Sequence, residues 1–290
     1  MIGRILVGLG GQGEEGVCCT RSAIRFAVDI AADRAISLTG VTVADAAKLQ
    51  RIGPAPIGAS GALRGMREHR LAETRDRMAE SIAAFEEACR ASGLMHRVKR
   101  EERGEPLDFL ISLARYHDLT VLGLHGLFEY GVPGEVHHDP VDTMLRLIRG
   151  GVRPLIAVGP HYPREGNRPV ERVLVAYSGS PESAKTMRRF VQMRLWPDAL
   201  VRVVAFGDDH ERRQRHLLHA ANYFEDHGIE VERDYRPGDA KAGVLGVAHE
   251  WGADLIVMGN SHRTLLSRKM LGDTMMETIR KSDIPLFLSQ

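Results

Sequence analysis

The feature that most constrains this chain is that it carries one pattern twice. Ile5-Leu6-Val7-Gly8-Leu9 is echoed by Val173-Leu174-Val175-Ala176-Tyr177, and Asp118 to Gly123 (DLTVLG) recurs as Asp254 to Gly259 (DLIVMG). A third pair closes each half: Asp142 to Val158 (DTMLRLIRGGVRPLIAV) matches Asp273 to Ser289 (DTMMETIRKSDIPLFLS), with Asp-Thr-Met and the proline before the last apolar run in register. Three matches in one order signal a duplicated structural unit. At 290 residues the chain has room for two domains of ordinary size. The segment Gly159 to Glu171 (GPHYPREGNRPVE) is rich in Pro, Gly and charge, without apolar periodicity, and reads as the linker. The expected domains are 1–160 and 170–290.

Within each copy, short apolar runs alternate with amphipathic segments. In the second half the runs at 172–177, 200–206, 229–235, 254–259 and 285–289 read as strands, and Glu182 to Met193, Glu211 to Phe224, Ala240 to Trp251 and Asp273 to Lys281 as helices. The first half repeats the order with a longer second helix, about Leu63 to Ala91, whose Met66, Leu71, Met78, Ile82 and Phe85 form one stripe. Continuous apolar strands separated by helices mean a parallel sheet covered on both faces. The fold expected is α/β: two tandem, doubly wound, Rossmann-like domains, each a five-stranded parallel sheet. Ligands of such sheets bind beyond the carboxyl ends of the strands, where strand order reverses. That rule selects GLGGQG and GLHG in the first half, and Tyr177 to Ser183 (YSGSPES) and Gly259 to Arg263 (GNSHR) in the second.

Bulk properties narrow the partners. With 39 Lys and Arg against 38 Asp and Glu, the net charge of +1 gives no global field to recruit nucleic acid or an anionic membrane. No apolar run approaches spanning length and no secretory signal opens the chain, so a cytoplasmic protein is expected. Cys18, Cys19 and Cys89 are too few for a disulfide framework and lack zinc spacing. Cys18 and Cys19 lie where a helix starts, so a redox-sensing thiol and plain packing are the two readings. His125, His137, His138 and Asp139 raise zinc, but they match no closed zinc pattern and read as a polar loop, so no metal is expected. His216 and His219 read as exposed helix decoration.

Gly8, Gly10 and Gly13 fit G-x-G-x-x-G after the first strand, which would suit a dinucleotide cradle. Glu14 and Glu15 then stand where phosphates would dock, and the second copy has Ser178-Gly179-Ser180-Pro181 in the same place. Like charge and the missing glycines argue against that cradle. Ser178 follows a strand as a nucleophile elbow would, but the G-x-S-x-G frame is absent, and no P-loop lysine follows the glycines.

The order of strand, Ser/Gly turn, helix, Asp-Leu-Ile-Val-Met-Gly, polar loop, Leu-Gly opening a helix, and a final strand after Pro285 resembles the universal stress protein family, here as a tandem pair over almost the whole chain. The resemblance implies an adenine nucleotide alpha hydrolase-like fold, pairwise association of domains within the chain, a homodimer as a further option, and, in many members, ATP or another adenine nucleotide without a metabolic reaction. The family's motif is G-x-x-G, nine residues, then G-[S/T]. Glycines let the backbone approach phosphates, while amides and a hydroxyl at a helix start donate to their oxygens. Gly259 and Gly272 fit the outer glycines, His262 stands at the middle one, and Asp273 replaces the hydroxyl, with Thr274 next. The Asp that often ends the first strand is Ser178 here and Gly10 in the first copy. The first copy keeps Gly123 and Gly126, with Val141 in place of the last glycine. Asp273 and Asp142 read as side chains capping their own helices where phosphate would sit.

The candidate nucleotide site is therefore Tyr177, Ser178, Gly179, Ser180, Gly259, Asn260, Ser261, His262, Arg263, Gly272, Asp273 and Thr274, with Arg268 adding positive charge. The expected function is a non-catalytic stress-response binding or regulatory protein. The alternative is an ATP- or metal-dependent enzyme of related fold using the second crevice.

Overall fold

The computed structural model describes residues 2–10, 14–32, 34–45, 60–102, 104–130, 139–152, 154–162, 170–259 and 272–289, without the side chains of 14–18 and 60. By its internal contacts the chain divides into Ile2–Val152 and Arg153–Gln290.

The first unit runs β1 (Arg4–Gly8), α1 (Glu14–Ala31), β2 (Ser37–Val43), α2 (Ser60–Ala91), β3 (His96–Glu101), α3 (Pro106–Ala114), β4 (Leu119–Gly123) and α4 (Pro140–Arg149). Its strands lie in the order β3-β2-β1-β4, every pairing parallel. The second unit contains β5 (Leu155–Val158), β6 (Arg172–Ala176), α5 (Pro181–Met193), β7 (Leu200–Phe206), α6 (His210–Glu225), β8 (Val231–Arg236), α7 (Ala240–Trp251), β9 (Leu255–Gly259), α8 (Asp273–Lys281) and β10 (Leu286–Ser289). There the order is β5-β10-β9-β6-β7-β8. The pairings from β10 to β8 are parallel, and β5 runs antiparallel to β10, with Phe287 opposite Ile156. The run Leu155–Val158, expected to close the first sheet, is thus grouped with the second unit.

The central strands are apolar because both faces are covered: Ile5, Leu6 and Val7 in β1, and Leu255, Ile256 and Val257 in β9, are fully buried. In the first unit α1 packs on β4 and α2, while α3 packs on β1 and α4, giving the two helical layers. The outermost strands, β3 (HRVKRE) and β8 (VERDYR), alternate charge and partial burial, which discourages edge-to-edge association.

One polar device is used in both copies. Asp118 Oδ2 accepts from the amides of Gly3 and Arg4 at 2.9 and 3.0 Å, and Asp254 Oδ2 accepts from those of Glu171 and Arg172 at 3.0 and 2.9 Å. Each carboxylate ties the start of the β1- or β6-strand to the segment that precedes β4 or β9, which is why this residue opens the repeated DL-x-V-x-G run.

Helix α2 departs from the expected stripe. Met78 and Phe85 are fully buried, but Met66 is 46% exposed, so the apolar face begins near Thr74. Cys19 and Cys89 are buried. Burial, helped by the charge of Glu86, pushes the Cys89 thiol up to about 11, out of the reactive range at neutral pH. Cys19 packs against Gly123, where an added Cβ would come within 2.9 Å of the cysteine Cβ. The Cys18 side chain lies outside the described residues, as do His137 and His138.

Candidate functional site

The two units treat the carboxyl ends of their strands differently. In the first unit the chain leaving β4 turns inward. Leu127, Phe128, Glu129 and Tyr130 are all buried, although connecting segments normally stay at the surface. Phe128 adopts φ 60°, a conformation few side chains of its size accept, and the turn is closed by Glu129 N–H donating to Gly126 O at 2.9 Å.

This turn delivers Tyr130 into the crevice beyond β1 and β2. Its hydroxyl donates to Val43 O at 2.9 Å and accepts from Val43 N at 3.2 Å, and Thr42 Oγ1 lies 2.7 Å away. Arg77 of α2, paired with Glu73, donates to Tyr130 O at 2.7 Å. Gly10 makes room for this packing: at φ 135° it passes beneath Phe128 and Tyr130, and a Cβ there would sit 3.2 Å from the phenol oxygen. Thr20 Oγ1 donates to Gly10 O. A buried amide and carbonyl are costly when left unpaired, and here one phenol satisfies both.

In the second unit the corresponding space is a cavity of about 110 Å³. Tyr177, Ser178, Gly259 and Thr274 line it, brought there by the ends of β6 and β9 and the start of α8. Its walls are apolar, from Ala176, Val204, Phe206, Val244, Met258 and Met275. Register makes Phe206 the counterpart of Val43, since Gly8 pairs with Val41 and Ala176 with Val204. Among the described residues no side chain bonds the Phe206 backbone as Tyr130 bonds that of Val43. Burial holds the Tyr177 phenol above its ordinary range despite the opposing charge of Arg188, so it remains a donor.

The other predicted residues fall nearby or outside the described residues. Ser180 is the N-cap of α5, accepting from Ser183 N at 3.1 Å, and the Ser183 hydroxyl accepts from Ser178 Oγ at the same distance. Gly179, at φ 77°, supplies the left-handed turn between them. Asn260, Ser261, His262, Arg263 and Arg268 lie outside the described residues.

The capping expectation needs correction. Gly272, not Asp273, is the N-cap of α8, so the helix start has no capping side chain of its own, and Asp273 lies in the first turn. Likewise the N-cap of α4 is Asp139, which accepts from Val141 N at 2.8 Å, while Asp142 lies in the first turn. In α4 Pro140 takes the first helical position, which shifts the cap back to the residue before it. In α8 the extended backbone of Gly272 fills the cap position, so Asp273 is already helical.

Two residues were not anticipated. Arg213 of α6 lines the cavity and donates to Ser178 O at 2.8 Å, and its Nε is buried without a partner. His216, one turn on, was expected on an exposed face. Instead its ring lies against the Gly179 turn, 6.5 Å from the Tyr177 ring and edge-on to it, with Nδ1 buried and unpartnered. The i, i+3 spacing of Arg213 and His216 was the available signal, since it puts both on one helical face. Among the described residues no group of three or more His, Cys, Asp or Glu could hold a metal ion, and no helix is long and apolar enough to cross a membrane.

Comparison with known proteins agrees with this architecture. A universal stress protein of Synechocystis is 22% identical over 222 residues, spanning 76% of this chain and 74% of that one. A universal stress protein from Archaeoglobus fulgidus superposes with a TM-score of 0.60 at 16% identity, covering 99% of this chain and 96% of that one. A functionally unknown protein from Pseudomonas aeruginosa gives 0.56 at 15% identity, with coverage of 99% and 92%. Those structures share the fold. The model of the universal stress protein family matches residues 206–289, within the second unit.

Proposed function

We propose that this chain is a universal stress protein, a non-catalytic binding protein whose second crevice takes an adenine nucleotide, and whose first crevice does not. The observation that carries the reading is the convergence of Tyr177, Ser178, Gly259 and Thr274 on one apolar-walled cavity, against a first crevice filled by Tyr130. The residues present fit such a group. A planar base is accommodated by the walls from Ala176, Val204, Val244, Met258 and Met275. The N-terminus of α8 offers backbone amides to phosphate, opposed by Asp273 in its first turn.

Calorimetric titration of ATP into the whole protein and into His262→Gly/Asp273→Ser tests the reading. We expect binding by the wild type without hydrolysis, tightened several-fold in the double variant as the like charge at the helix start is removed. Turnover of ATP, or no binding by either protein, would contradict it.

A further inference from the structure

The second crevice has a strongly cationic side that the nucleotide reading does not use. Among the described residues Arg213 makes one hydrogen bond, to a neutral carbonyl, and pairs with no carboxylate. Its Nε and the neighbouring His216 Nδ1 are both buried and unpartnered. A buried guanidinium N–H costs stability unless something accepts from it, and guanidinium is suited to oxyanions above other acceptors, while His216 Nδ1 can donate to one once the ring is protonated.

The surroundings point the same way. On α6, Arg212, Arg215 and His219 flank these two residues, and Tyr177 and the Ser178–Gly179–Ser180 turn face them from β6 and α5. Among the described residues no anion acts on His216. Burial, then the charges of Arg213, Arg212, His219 and Arg215, hold the imidazole below its ordinary value. The N-terminus of α5 lies beside this cluster, with the Ser178 hydroxyl at its edge.

We propose that Arg213 and His216 form an oxyanion subsite on the α6 side of the second crevice, taking a phosphoryl group of the bound ligand. This side is separate from the Gly259 and Thr274 lining, so a ligand that reaches both carries phosphate at two places or reaches across the cavity mouth. The identity of the rest of the ligand rests on the nucleotide reading; the oxyanion subsite does not.

The test is an NMR titration of the His216 ring in the full chain, with inorganic phosphate as probe and adenosine as the uncharged control. Phosphate should shift the ring saturably and raise its pKa, because a bound anion favours imidazolium, and adenosine should leave that pKa unmoved. Arg213→Gln should weaken phosphate about tenfold, with Arg213→Lys intermediate. Arg233→Gln, on the outer strand β8, should change nothing. If Arg213→Gln retains the shift, phosphate is an adventitious ion only, and that result, or no saturable shift, overturns the subsite. ATP binding that survives alongside either result leaves the nucleotide reading intact. Phosphate at His216 without nucleotide binding would sink the nucleotide reading and support the subsite.

Discussion

The two crevices begin from the same blueprint and end in opposite states. Beyond β1 and β2, the backbone of Val43 is satisfied by the hydroxyl of Tyr130; beyond β6 and β7, the counterpart residue Phe206 borders a cavity. The sheet, the β-strand register and the Asp118 and Asp254 ties are common to both. In the first unit the chain leaving β4 folds back as a buried turn, while the matching segment after β9, residues 260–271, lies outside the described residues. In the first unit a short connecting segment covers a platform that the strand pattern alone leaves open, and strand patterns do not report such segments.

The largest effect should come from emptying the first crevice. Tyr130→Ala removes a fully packed ring and should cost about 3–5 kcal/mol in urea unfolding. Tyr130→Phe keeps the ring but strands the Val43 amide and carbonyl, for about 1–3 kcal/mol. In contrast, Tyr177→Phe in the second unit should cost less than about 0.5 kcal/mol, since among the described residues that hydroxyl makes no hydrogen bond. Equal costs at the two tyrosines would break the comparison.

A smaller effect should separate the units by pH. His117 in the first unit presents Nδ1 to Leu113 O at 2.8 Å and Nε2 to Thr39 Oγ1 at 3.0 Å, an arrangement that suits neutral imidazole. Burial is the main reason its pKa lies below the ordinary 6.5. Unfolded chains then bind this proton more readily than folded ones, so the stability it contributes is complete above about 6.5 and declines as pH falls through and below that value. Thermal melts from pH 7.5 to 5 should fall for the wild type and fall less steeply for His117→Asn. An unchanged slope would remove His117 from the account.

Much of the fold was legible in the sequence because buried parallel strands read as apolar runs and the repeat could be checked against itself. Val173 to Tyr177 and Asp254 to Gly259 located β6 and β9, and with them the crevice. Helix caps were less legible, because a proline or an extended glycine moves the cap by a residue or more, as at Asp139 and Gly272. The stripe from Met66 failed because periodicity shows which residues share a face, not whether anything covers that face. Tyr130, Arg213 and His216 were missed for one reason: each reaches the site from an element distant in sequence, and no local pattern records that a side chain points inward. The α6 run HERRQRH signals a basic helix, but only the packed turn at Gly179 shows where two of those cations face.

The most direct test of the central claim is photolabelling of the intact chain with an azido derivative of ATP, followed by peptide mapping. The account predicts label, displaced by unmodified ATP, on peptides containing Tyr177 to Ser180 or Gly259 to Thr274, and none on those containing Gly10, Val43 or Tyr130. Displaceable label at Gly10, Val43 or Tyr130 would show that the first crevice opens to nucleotide and would contradict the account.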